Sequence, residues 1–339
     1  MSDRPRDIAS LEEWLSRPDD ATRSALASLD GDVIVLGAGG KMGPTVARMA
    51  RRAIADRTRR VIAVSRFSDS VAAAQLEAHG VDVLRADLSD PAAVLALPFA
   101  PSMLWMAGQK FGTTGDPVST WTHNVVAPVH VAERYIGART VCFSTGNVYG
   151  RVPVAAGGSC EDAPLRPDGE YAASCIGRER VFESVARRTK SPLLLYRLFY
   201  ANDLRYGVVT EIARKILHDE PIDLTTGHVN VMWQGDANRL ALRALAIAAT
   251  PPLALNVTGP IVMVREIAER VGRHAGITPR FTGTEGLESL LGNVQRLHEL
   301  LPHDALPLDT LCQWAVDWIR EGGPLLDKPT KFEVRDGRF

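Results

Sequence analysis

The stretch VIVLGAGGKMG, Val33 to Gly43, decides how the rest of the chain is read. Its first half is an unbroken apolar run rich in β-branched residues, the pattern of a strand buried on both faces. It runs directly into Gly37, Gly40 and Gly43, spaced G-x-x-G-x-x-G, with Lys41 and Met42 inside the loop. Pro44 follows where a first helical turn has no use for its missing N–H, and Thr45 to Ala55 carries a helical pattern. Strand, glycine loop and helix in this order aim backbone N–H groups and the positive end of a helix at one point. Glycines let the loop turn tightly and let a diphosphate approach its backbone. Three glycines alone say little; the strand before and the helix after give them meaning as a dinucleotide site.

Working outward, apolar β-type runs alternate with helical stretches. Val61 to Ser65, the run VDVLRAD, SMLWMAG, TVCFST and Leu193 to Phe199 read as strands. Ser70 to His79, Pro91 to Leu97, Pro128 to Tyr135 and Tyr171 to Arg188 read as helices between them. Such alternation predicts an α/β fold, a Rossmann-type doubly wound parallel sheet covered on both faces. A smaller C-terminal α/β substrate domain is expected beyond it. The divisions expected are a helical cap over 1–30, a nucleotide-binding domain over 31–200 that also uses parts of 225–258, and a substrate region with a polar tail over 201–339. Ser10 and Glu13 read as a capping box that opens the first helix.

Composition narrows the function classes. The 339 residues are 45% hydrophobic and 23% charged, the balance of a soluble protein with a full core. A net charge of −1 argues against nucleic acid or an anionic membrane surface as partner. The four cysteines form no Cys-x-x-Cys pair and no metal-type cluster, as expected of reduced thiols in a cytoplasmic protein. The N-terminus is charged where a signal peptide needs an apolar stretch, and no uninterrupted apolar run is long enough for a bilayer. Arg48, Arg51 and Arg52 read as a solvated helix face.

The second strand ends in Ser65-Arg66. An acidic residue there would hold an adenosine ribose and favour NAD; serine and arginine suit a 2′-phosphate, so NADP is expected, with NAD as the alternative. Asp87-Leu88 follows the third strand, placed to meet the adenine ring. Ala107-Gly108 ends the fourth, where the backbone would pass beneath the cofactor.

The order of glycine loop, Asp87-Leu88, Ala107-Gly108, then STGNVYG (Ser144 to Gly150) and Tyr171 resembles the extended short-chain dehydrogenase/reductase family, the NAD(P)-dependent sugar-nucleotide epimerases and dehydratases. The resemblance covers roughly Asp32 to Ala275. It implies hydride transfer at a secondary alcohol or ketone of a sugar-like or hydroxy-acid substrate. It implies Thr145 as the hydroxyl that orients the reacting oxygen. It implies Tyr171, 26 residues further on, as the proton donor or acceptor. A homodimer through the helices Pro128 to Tyr135 and Tyr171 to Arg188 is implied as well.

Three departures qualify that picture. Cys175 stands four residues after Tyr171, where the family's lysine would lower the tyrosine pKa. Lys110 in the loop after the fourth strand is one substitute cation, although an exposed loop lysine is the simpler reading. Arg178, about two turns along, reads as too distant. Gly146-Asn147 replaces the Asp-Glu of the dehydratases, which leaves epimerisation or simple oxidoreduction. Tyr200 replaces the asparagine of an Arg-x-x-Asn-x-Tyr-Gly-Pro motif, echoed by Arg197 and Tyr206-Gly207. Arg205, His228, Asn230, Trp233 and Gln234 are candidates for the substrate pocket, each as readily structural. The rival reading is a cofactor-binding sensor or scaffold that has lost catalysis. The missing lysine favours it; the presence of both Thr145 and Tyr171 opposes it.

Overall fold

Seven apolar runs become the strands of one parallel sheet in the computed structural model of the chain, which describes residues 4–68, 70–326, 330, 332 and 333. In chain order the sheet strands are β1 (Val33–Leu36), β2 (Val61–Ser65), β3 (Asp82–Arg85), β4 (Ser102–Trp105), β5 (Arg139–Thr145), β6 (Leu193–Leu198) and β7 (Leu253–Val257). They lie side by side as β7-β6-β5-β4-β1-β2-β3, every pair parallel. The order reverses between β1 and β4, so a crevice opens at the carboxyl ends of those strands, where doubly wound sheets bind ligands. β1 is fully buried along its length and β3 only partly, as befits a central and an edge strand.

One face of the sheet is packed by the helices Gly43–Ala53 and Gln234–Ile247, the other by Ala127–Arg134 and Gly169–Thr189. A second apolar cluster gathers Val208–Leu217, Val264–Ala275 and Leu308–Arg320 with Leu11 and Leu15 of the first helix. A three-stranded sheet of Tyr200–Asn202, His228–Trp233 and Ile261–Met263 lies in the C-terminal half.

Several local expectations are corrected. The first helix, Ile8–Leu15, is capped by Asp7, whose carboxylate accepts the Ser10 N–H at 2.8 Å. Ser10 is the third helical residue and returns its hydroxyl to the Asp7 N–H, so the box is real but begins three residues earlier than Ser10 and Glu13 indicated. The arginines after the glycine loop are not a solvated face. Arg51 is buried and donates to the carbonyls of Arg59, Ile54 and Asp56. Arg48 and Arg52 pair with Glu13 and tie the first helix to the domain. Part of the polar tail packs inward: Phe332 is buried in the second apolar cluster, and Thr330 donates to Glu211.

Candidate active site

The glycine loop is built as its spacing predicts. Gly37 has φ +90°, and a Cβ there would lie 2.3 Å from the Ala107 nitrogen. Gly43 opens its helix against Ala38, whose backbone a Cβ would meet at 2.6 Å. Gly40 differs: a Cβ there would come no closer than 3.4 Å to the rest of the protein. Packing therefore does not demand glycine at 40, and the missing side chain leaves the loop backbone open at that point. The helix begins at Gly43 with no side chain capping its first N–H groups. They remain available to an anion. Residues and geometry fit a dinucleotide.

Two cavities meet at Gly37, Gly40, Met106 and Gly108. The first, about 280 Å³, is lined by Ser65, Arg66, Asp87, Leu88 and Ala107. All the residues expected at the adenosine end are thus brought together. Asp87 accepts from the Ser89 hydroxyl at 2.7 Å and the Ser89 N–H at 2.9 Å. These bonds, with the Arg66 and His123 charges nearby, hold its carboxyl below the usual range.

The second cavity, about 430 Å³, is lined by Lys41, Met42, Gly43, Thr145 and Tyr171 among others. β5 ends at Thr145, whose hydroxyl accepts from the Asn147 amide side chain at 2.9 Å. The helix Gly169–Thr189 brings Tyr171 to that point, where it lines the same cavity as Thr145 and packs against buried Cys175. Burial pushes the phenol well above its ordinary value, and Cys175 adds to the rise; Arg178 and the Thr145 hydroxyl oppose it.

The cations around this cavity differ from expectation. Lys110 is no exposed loop lysine: it is half-buried and lines the cavity. Lys41 leaves the phosphate loop sideways, its ammonium 3.3 Å from the Ala201 carbonyl and 4.1 Å from the centre of the Tyr206 ring. Burial pushes Lys41 down to about 8 despite the attraction of Asp203, and Arg205 and Lys110 push the same way. Arg178, read as too distant, reaches back along its helix to within 3.4 Å of the Cys175 sulfur. Helical side chains lean toward the N-terminus, so seven residues overstate the separation from Tyr171.

Most of the proposed substrate contacts are structural. Arg205 is held by Asp203 and Glu12, each at 2.7 Å. Trp233 is buried edge-on against Trp314. Asn230 is buried and braces Gly259 and Gly292. Gln234 is buried and His228 half-buried, and neither lines the cavity. The cavity wall is instead aromatic and aliphatic, with Phe111, Phe199, Tyr200, Tyr206, Leu290 and Leu326. The dipeptide Phe199-Tyr200 immediately after β6 was the available signal.

The parallel sheet with its switch-point crevice, the glycine loop and the Thr145–Tyr171 pair define an NAD-dependent enzyme of the extended short-chain dehydrogenase/reductase type. The chain belongs to the NAD dependent epimerase/dehydratase family, whose sequence profile matches residues 33–242. Solved structures share the fold. MoeE5 in complex with UDP-glucuronic acid and NAD is 21% identical, with a TM-score of 0.68, covering 86% of this chain and 100% of its own. UDP-glucuronic acid 4-epimerase from Bacillus cereus in complex with NAD is 16% identical, with a TM-score of 0.70, over 86% and 99%. UDP-glucose 4-epimerase from Thermotoga maritima with UDP-glucose is 17% identical, with a TM-score of 0.71, over 86% and 99%. No curated protein sequence matches the chain. Among the described residues, no helix is long and apolar enough to cross a membrane.

Proposed function

We propose that this chain is an epimerase or dehydrogenase/reductase that works at a secondary alcohol or ketone of a carbohydrate-derived small molecule, in the cytoplasm. The observation that carries the reading is that Thr145 and Tyr171 line the same cavity as the glycine loop. A bound nicotinamide supplies the acceptor or donor of hydride. Thr145 holds the reacting oxygen, and Tyr171 takes its proton when the alcohol is oxidised or returns one when the ketone is reduced. Gly146 and Asn147 offer no acid or base, which opposes dehydration by the family's Asp-Glu route. UDP-sugars, bound by the solved relatives, are the first substrates to offer.

NADP is the preferred cofactor in this reading, because Arg66 is exposed at the rim of the adenosine cavity beside Ser65. Residues 31–200 with parts of 225–258 would hold the cofactor, and 201–339 most of the substrate. A homodimer is supported by exposed Trp121, Val126 and Val129 on the helical stretch beside Gly169–Thr189. The second reading, a sensor without turnover, draws on the desolvated Tyr171 phenol and on Cys175.

The test is fluorescence titration of nucleotide-stripped protein with NADPH and NADH, in wild type and Arg66→Ala. NADPH is expected to bind more tightly, and Arg66→Ala to remove about tenfold or more of that preference. Tighter NADH binding would refute the role of Arg66, and binding of neither would remove the functional reading. Conversion of a UDP-sugar or aldonic acid with the preferred cofactor then separates enzyme from sensor.

A further inference from the structure

We infer that Arg178 is the cation of the proton-transfer site and acts through Cys175, against which Tyr171 packs, so that the three residues form one relay in place of a lysine. This rests on the proposed role of Tyr171. Arg178 is 5% exposed. One nitrogen donates to the Phe143 carbonyl at 2.8 Å, and the other to the Cys175 sulfur at 3.4 Å. The same end packs against Gly108, where a Cβ would lie 2.9 Å from Nη2. Gly108 lines both cavities, so the charge sits directly behind their junction.

Guanidinium stays protonated in proteins, and a buried charge without a partner is costly. Among the described residues Arg178 enters no ion pair with a carboxylate. The adjacent Glu179 is taken by Arg197, at 2.8 and 2.9 Å, and by the Ser144 hydroxyl at 2.6 Å. The groups facing the Cys175 thiol are Tyr171, Arg178 and Glu179 from its own helix, Cys142 from β5 and Lys110 from the loop after β4. Burial raises Cys175; Arg178 is the foremost opposing charge, and the Tyr171 hydroxyl acts with it. Arg178 is therefore placed to oppose the burial penalty when a proton leaves Cys175 or Tyr171. The thiol is the stronger acid of the two by its reference value, about 8.5 against about 10.

Oxidation of an alcohol then balances as follows. A bound oxidised nicotinamide would supply the acceptor for the hydride that leaves the substrate carbon. The substrate O–H proton passes to the Tyr171 oxygen, and the Tyr171 proton passes to the Cys175 thiolate. Reduction of a ketone runs the same transfers backward, with the thiol as proton source.

The test needs no substrate. Thiolate absorbance near 240 nm is titrated in wild type, Arg178→Gln and Arg178→Lys, each against the same protein carrying Cys175→Ala. Arg178→Gln is expected to move the Cys175 titration up by about one pH unit or more. Arg178→Lys keeps the charge and should hold the titration near wild type. Turnover, once a substrate is in hand, should follow the same order, with the basic limb of the pH profile moving alongside the thiol. Equal damage in both variants with an unmoved thiol titration would make Arg178 merely structural and overturn the relay. Undiminished turnover in Tyr171→Phe would instead remove the underlying functional reading, so the two failures are distinguishable.

Discussion

Tyr171→Phe is expected to lower turnover by about 10²- to 10⁴-fold, the usual contribution of a positioned acid/base. Affinity for the nicotinamide cofactor should change little, because the phosphate loop and the adenosine cavity do not depend on the phenol. The substitution removes one hydroxyl from a side chain that otherwise packs with Val148, Tyr149 and Cys175, so the fold should survive. Thr145 keeps its bond to Asn147 and stays in position. A fall in kcat at near-constant cofactor Kd would place the loss in proton transfer rather than binding. Steady-state kinetics together with cofactor titration check this, and undiminished turnover would contradict it.

Glu179→Ala should cost about 3–5 kcal/mol of stability, read from the denaturation midpoint in urea, because it strands a buried charge. Glu179 is fully buried and holds the Arg197 guanidinium through both oxygens. Arg197 in turn donates to the Tyr149 hydroxyl at 2.6 Å and the Glu161 carbonyl at 2.9 Å, and Tyr149 donates to Asn256 at 2.8 Å. The pair therefore ties the Tyr171 helix to β5, β6, β7 and the turn after Thr145. Losing the carboxylate leaves Arg197 charged and the Ser144 hydroxyl without its acceptor. Arg197→Met alone should also destabilise. Replacing both members together should cost less than the sum of the two single changes, since neither charge is then left alone.

The sheet was legible because its signals are local. A buried parallel strand reads as an apolar run, and a phosphate loop needs glycines at fixed spacing wherever it occurs. The site was legible as far as its backbone is concerned: Ser65, Asp87, Ala107 and Thr145 follow or end sheet strands and inherit their positions, and Tyr171 sits in the first turn of the helix between β5 and β6. Side chains that cross between elements were not. Arg178 follows Tyr171 at a distance that counts helical turns and ignores the backward lean of a long side chain. Arg51 looked solvated by type, yet its guanidinium caps three carbonyls of the turn after its helix. Arg205 looked free to clamp an anion, but Glu12, remote in sequence, already neutralises it. Trp233 has the ring of a sugar platform and the burial of a core residue. Only tertiary neighbours decide such cases.

In the proposed reaction hydride, not a proton, moves at the carbon. This is tested most directly by running the reaction in D₂O with the preferred cofactor and analysing the product by mass spectrometry and NMR. The account predicts that no solvent deuterium enters the reacting carbon, whether the product is an epimer, a ketone or an alcohol, because hydrogen on that carbon comes only from substrate or cofactor. Solvent deuterium on the reacting carbon would show that Tyr171 and its neighbours deprotonate carbon instead, and would contradict the account.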